Sequence, residues 1–215
     1  MSGNAAWFDP AIALLDGALA VVPNDSVLLH YKGYALFRKA TLLPGRTRDI
    51  SAALDNANRA LESSAKTLDW AETFALRASV YGRMIGTGSN PITAMRLGRK
   101  SDREMERAAA LDPTNPRVFL LRGIGSIYKP RMFGGGLDKA EKDLKKALAL
   151  FPEDKATSPA PVWGYAEAWA WLGQVYLREH RLDDARAAYV KALEVQPGYG
   201  WVTHTLLPEL AQKKR

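Results

Sequence analysis

Three histidines, His30, His180 and His204, are the first residues to test for chemistry. They lie far apart in the chain, and none stands in the His-Glu-x-x-His spacing that puts two zinc ligands on one helix face. Cysteine is absent, which removes disulfides, thiolate metal sites, iron–sulfur clusters and a cysteine nucleophile. No serine sits in Gly-x-Ser-x-Gly, the turn that exposes a nucleophile. Carboxylates mostly alternate with Lys or Arg at helical spacing, as in Asp138–Lys142 and Glu141–Lys145, which is the pattern of a solvated helix surface. Gly134-Gly135-Gly136, ahead of Leu137 and Lys139, is the kind of segment whose backbone N–H groups hold anions. It lacks the Gly-Lys-Ser/Thr of a nucleotide loop, and a flexible turn is the simpler reading. The sequence therefore predicts no enzyme, no cofactor and no metal.

The elements that must position any binding residues are a ladder of paired helices. The clearest unit is Trp169-x-x-Leu172-Gly173-x-x-Tyr176, followed by Ala185-x-x-x-Tyr189, Ala192 and Pro197. Trp169, Leu172 and Tyr176 fall three and four residues apart, on one face of a first helix. Ala185, Tyr189 and Ala192 form the facing stripe of a second helix, where small side chains permit close approach. This unit resembles the tetratricopeptide repeat, with Tyr189 in the place of Phe. Weaker copies precede it: Leu29, Gly33 and Leu36 with Ala53, Ala57 and Ala60; Phe74, Ala78 and Tyr81 with Met105 and Ala108; Phe119 and Gly123 with Ala140, Leu144 and Ala147. Asp9-Pro10, Asn90-Pro91 and Asn115-Pro116 each place an N-cap side chain before a proline suited to the first helical position. A segment like Pro130–Gly136, Pro-x-Met-Phe-Gly-Gly-Gly, also resembles one in bacterial, often exported, repeat proteins of this kind.

The fold expected is all-α, a right-handed superhelical stack of helix-turn-helix pairs with lengthened intra-pair loops. A chain of 215 residues suits one such solenoid. It divides into a leading helix over 9–23, pairs over 26–64, 70–112, 116–152 and 164–197, and a capping helix over 200–214. The small residues Gly33, Ala78, Gly123 and Gly173 are 45, 45 and 50 apart, against about 34 in a regular repeat. The excess falls within the first three pairs, at Leu42–Thr47, Arg83–Asn90 and Lys129–Gly136.

In such a stack every intra-pair loop emerges on the same edge. That rim collects Arg46, Arg48, Arg83, Met84, Ile85, Lys129, Arg131, Met132 and Phe133. Its apolar members either fold back to plug the core edge or meet a partner. The concave face, lined by first helices, gathers His30, Tyr34, Phe37, Ser79, Arg83, Leu120, Ile124, Ile127, Tyr128, Gln174 and Arg178, some of them serving as core instead. Tetratricopeptide domains that clamp a carboxylate place Lys and Asn on that face. Here His30, Tyr34, Ala75 and Ser79 occupy those places, so no such clamp is expected. The partner-binding residues expected are Tyr34, Phe37, Arg83, Ile124, Tyr128, Arg131, Met132, Phe133, Gln174 and Arg178.

The net charge of +7 is unevenly placed. Residues 1–30 carry three Asp and no Lys or Arg, residues 31–150 carry 22 basic and 12 acidic side chains, and residues 151–215 carry eight of each. Hence any partner protein or peptide is expected to be acidic. The first reading is a protein- or peptide-binding scaffold. An exported accessory protein holding a small apolar ligand, associated with solute uptake, comes second, and nucleic-acid binding comes last because the cations are interleaved with acids. No apolar stretch reaches the roughly 20 residues of a bilayer span, and Met1–Pro10 lacks the features of a signal peptide. The compartment expected is periplasmic or secreted if a leader has been removed, and cytoplasmic otherwise.

Overall fold

A computed structural model describes residues 5–45 and 48–213. Arg46, counted above with the rim, and Thr47, the end of the first long loop, lie outside the described residues. Among the described residues ten α-helices follow one another: α1 (Asp9–Val21), α2 (Ser26–Leu42), α3 (Arg48–Ser64), α4 (Ala71–Ile85), α5 (Pro91–Leu111), α6 (Pro116–Tyr128), α7 (Leu137–Leu150), α8 (Tyr165–Arg178), α9 (Leu182–Val195) and α10 (Leu207–Lys213). Helices α2–α9 pack as four consecutive pairs, α2 with α3, α4 with α5, α6 with α7 and α8 with α9. The chain divides into two compact units, Asn4–Pro113 and Thr114–Arg215.

Small residues set the pairing. A Cβ on Gly33 would stand 2.4 Å from Leu61, one on Gly123 2.9 Å from Leu144, and one on Gly173 2.3 Å from Tyr189. Each glycine thus marks the point where a first helix is crossed by a large side chain of its partner. At the corresponding place in the second pair, Ser101 Oγ donates to the Ala78 carbonyl at 2.8 Å. Helix starts follow local chemistry. Asp25 accepts from the Leu28 N–H, Asn90 from Thr93 and Asn115 from Arg117, satisfying donors that a helix start leaves open. Asp9 departs from the expected cap. It is the first residue of α1, which leaves Phe8 at the cap position with no side-chain bond, and its carboxylate pairs with Lys39 at 2.5 Å.

In the N-terminal unit α1 packs on α2, and α3 on α4. His30 and Thr73 join α2 to α4 within this core, with Nδ1 2.8 Å from the hydroxyl. Nε2 of His30 has no hydrogen-bond partner among the described residues, and the ring lies edge-on to Tyr31 and Trp70. Burial holds this imidazole down to about 4, so it is neutral. In the C-terminal unit α7 packs on α8 around Leu120, Leu144, Leu172, Tyr189, Leu206 and Leu210. The buried guanidinium of Arg117 pairs with Asp154 and lies over the Phe151 ring, fixing the proline-rich segment that leads to α8. Trp163, in that segment, packs onto the core.

Candidate binding face of the C-terminal unit

Of the ten predicted site residues, seven belong to the C-terminal unit and three to the N-terminal one. Tyr34 and Phe37 are half-buried on α2, with the Arg38 guanidinium 5.9 Å from the Tyr34 ring. Arg83 is half-buried at the end of α4. Three neighbours on the same predicted face are not available to a partner. His30 and Ala75 are wholly buried, and Ser79 spends its hydroxyl on the Ala75 carbonyl at 3.0 Å. Leu120, in the other unit, is likewise fully buried.

The C-terminal unit brings its residues together. Tyr128, at the end of α6, is 63% exposed, and the Arg178 guanidinium of α8 lies 5.0 Å from its ring centroid. Cation–π contact and a long 3.5 Å hydrogen bond hold the two as one unit. Trp171 stands edge-on to Tyr128 at 6.3 Å, Trp201 follows at 5.1 Å from Trp171, and Tyr199 at 6.2 Å from Trp201. Four rings are therefore linked in sequence across α6, α8 and the segment entering the last helix; Tyr128 is exposed, while Trp171, Trp201 and Tyr199 are half-buried with one side packed on the core. Gln174 lies one turn beyond Trp171 and donates to the Tyr189 hydroxyl at 2.8 Å. Burial pushes that phenol up to about 12, against the pull of the Gln174 amide, so it stays neutral and hydrogen-bonded. Ile124 is half-buried beneath this face, packed on the core.

Trp171, Trp201 and Tyr199 were not among the predicted site residues. The spacing Trp171–Gln174–Arg178, three and four residues apart on one stripe of α8, is a signal for Trp171. Trp201 and Tyr199 lie beyond α8 and carry no such signal.

The loop after Tyr128 is firmly built. Pro130 has no N–H to continue α6, and Arg131–Phe133 form a single 3-10 turn. Gly134 adopts a left-handed φ of 81°, which costs glycine little. The Gly136 N–H then donates to the Ser126 carbonyl at 2.8 Å. Between them a Cβ on Gly135 would sit 1.9 Å from the Lys129 carbonyl oxygen, so only glycine fits. The flexible turn expected from three glycines is instead a closed lock. It leaves Met132 83% and Phe133 62% exposed, with Arg131 beside them in an exposed pair with Asp138. These apolar side chains do not plug the core.

Among known proteins, the family model described as "Tetratricopeptide repeat" matches residues 166–199, the α8–α9 pair. The likeness to that family lies in this pair. Tetratricopeptide proteins of known structure share the architecture of the chain. A thermophilic one from Thermus thermophilus superposes with a TM-score of 0.69 at 22% identity, over 95% of this chain and 89% of its own. The haemophore HusA from Porphyromonas gingivalis gives 0.69 at 23% identity, over 82% of this chain and 87% of its own. Such identities establish the fold alone. No curated protein sequence matches the chain. Tetratricopeptide repeats are generally non-catalytic scaffolds for protein partners, and no described helix is long and apolar enough to cross a membrane.

Proposed function

We propose that the protein is a peptide-binding tetratricopeptide scaffold whose binding surface is the aromatic row Tyr128–Trp171–Trp201–Tyr199, extended by the Arg131–Phe133 turn. The observation that carries this reading is the glycine lock. It holds two large apolar side chains in solvent at no gain to the fold, just after the first ring of the aromatic row. Aromatic and Met side chains beside Arg are what interfaces enrich. A rigid scaffold presenting them loses little entropy on binding. An extended peptide laid along the row would place apolar side chains between the rings and an acidic group near Arg178 or Arg131.

Immobilised protein exposed to a random-sequence peptide library tests this. Wild type is expected to retain peptides with bulky apolar anchors, and a Met132→Ala, Phe133→Ala double variant is expected to release them. Retention of the same peptides by both proteins overturns the assignment of the loop.

A second reading has its own support. Four rings in a row also suit a flat apolar ligand, and one protein of similar fold is a haemophore. Titration with haem while following tryptophan fluorescence separates the two. Saturable quenching lost in Trp171→Ala, with no peptide retained, favours the ligand.

A further inference from the structure

A second surface, in the N-terminal unit, is independent of the aromatic row. Residues 73–101 contain five basic side chains and no Asp or Glu. Three of the five, with two more beyond the stretch, fall on one side of α5. Arg96, Arg99 and Arg103 recur every three or four residues, with Lys100 and Arg107 on the flank of the same stripe. All five are exposed. Arg107 stands over the Phe74 ring at 3.9 Å and Lys100 over Tyr81 at 5.4 Å, while Arg96, Arg99 and Arg103 are exposed along the stripe; exposed Glu106 on the other flank leaves the face with a net charge of +4. The stripe begins with two aliphatic side chains, Ile92 at 78% and Met95 at 57% exposure. Helix register explains why nothing in the pair covers Ile92. Ser101 is level with Ala78, so the end of α4 at Ile85 is level with Ala94, and the first turn of α5 lies beyond it.

We infer that this face of α5 docks on an anionic lipid surface, with Ile92 and Met95 entering the headgroup boundary and Arg96, Arg99 and Arg103 meeting the lipid phosphates. Charge selects an anionic partner, and the apolar tip selects a bilayer. A nucleic acid is best held by a groove with aromatic platforms, whereas the exposed apolar neighbours of the stripe, Ile92 and Met95, carry no rings. An acidic peptide would need a cleft, and these side chains stand on the outer side of a helix. Aliphatic tip and basic band on one helix face are the two components of interfacial binding, one scaling with buried apolar area and the other with anionic lipid content.

Co-sedimentation of the full chain with vesicles tests this. Mixed phosphatidylcholine–phosphatidylglycerol vesicles should retain the protein and pure phosphatidylcholine should not. Each basic residue near an anionic surface changes partitioning roughly 5-fold, so Arg96→Gln, Arg99→Gln and Arg103→Gln together should weaken it on the order of 100-fold. An Ile92→Ser, Met95→Ser variant separates a bilayer from a generic polyanion. It should lose vesicle binding, whereas any retention on a duplex oligonucleotide should match that of wild type. All of these positions are exposed, so circular dichroism should confirm unaltered folding. No retention on the mixed vesicles overturns the proposal, as does retention undiminished in the arginine variant. Equal vesicle binding by the serine variant also overturns it, since attraction by charge alone does not distinguish a bilayer from any other polyanion.

Discussion

Two loops in this chain have nearly the same composition and opposite fates. Arg83-Met84-Ile85-Gly86 closes α4, and Arg131-Met132-Phe133-Gly134 follows α6. Met84 and Ile85 are half-buried, whereas Met132 and Phe133 are among the most exposed large apolar residues described. The difference lies in where the helix stops. Met84 and Ile85 are still helical, so their side chains follow the face of α4 toward its partner. Pro130 ends α6 before Met132 is reached, and the glycine lock then turns the chain back along its own carbonyls. Exposure of an apolar side chain is thus decided by the stop signal before it more than by its own type.

The comparison breaks most severely at the lock itself. Gly135→Ala places a Cβ against the Lys129 carbonyl, and backbone on both sides must move. We expect a loss of about 3 kcal/mol or more in the C-terminal unit by urea denaturation. Gly86→Ala, which meets the Arg83 carbonyl at 3.3 Å in the other loop, should cost well under that.

A second test contrasts the two units through their histidines. His30 is buried and neutral, while His180 and His204 are exposed. The folded-state value of about 4 for His30 lies below the 6.5 of an unperturbed histidine. The unfolded chain therefore binds the extra proton between those values. The stabilisation is complete above about pH 6.5 and is lost as pH falls toward 4. The full loss is about 3 kcal/mol. Denaturation followed through Trp70, 5.1 Å from His30, should show it, and His30→Gln should flatten the dependence across that window.

Smaller effects divide the loops directly. Met84→Ala and Ile85→Ala remove half-buried apolar surface and should each cost about 1–2 kcal/mol. Met132→Ala and Phe133→Ala should each stay within about 0.5 kcal/mol of wild type. Smallest of all, Asp138→Asn removes one exposed partner of Arg131, a change of less than about 1 kcal/mol.

Much of the architecture could be read from spacing, because a helical pair repeats its small and large residues at fixed intervals. Gly33, Gly123 and Gly173 marked their crossings correctly, since a glycine opposite Leu or Tyr has a local steric meaning. The proposed face was legible only in part. Tyr128, Gln174 and Arg178 were expected on it because they follow the pattern of the last repeat, projected onto α6 and α8. Trp201 and Tyr199 were missed because they lie beyond that repeat, brought to Trp171 by tertiary packing that carries no periodic signature. His30 was misplaced onto the lining for a related reason. Helical spacing gives the face of α2, but only its contact with Thr73 of α4 shows that this position is sealed.

The most direct measurement of the central claim is a binding titration with one library-selected peptide. It should be run on wild type, on a Phe133→Ala, Trp171→Ala variant, and on a Met84→Ala, Ile85→Ala control. Loss of two aromatic anchors should weaken binding by about 30-fold or more, while the control should bind as wild type does. Undiminished affinity in the first variant, or a loss confined to the control, would contradict the assignment of this face as the binding surface.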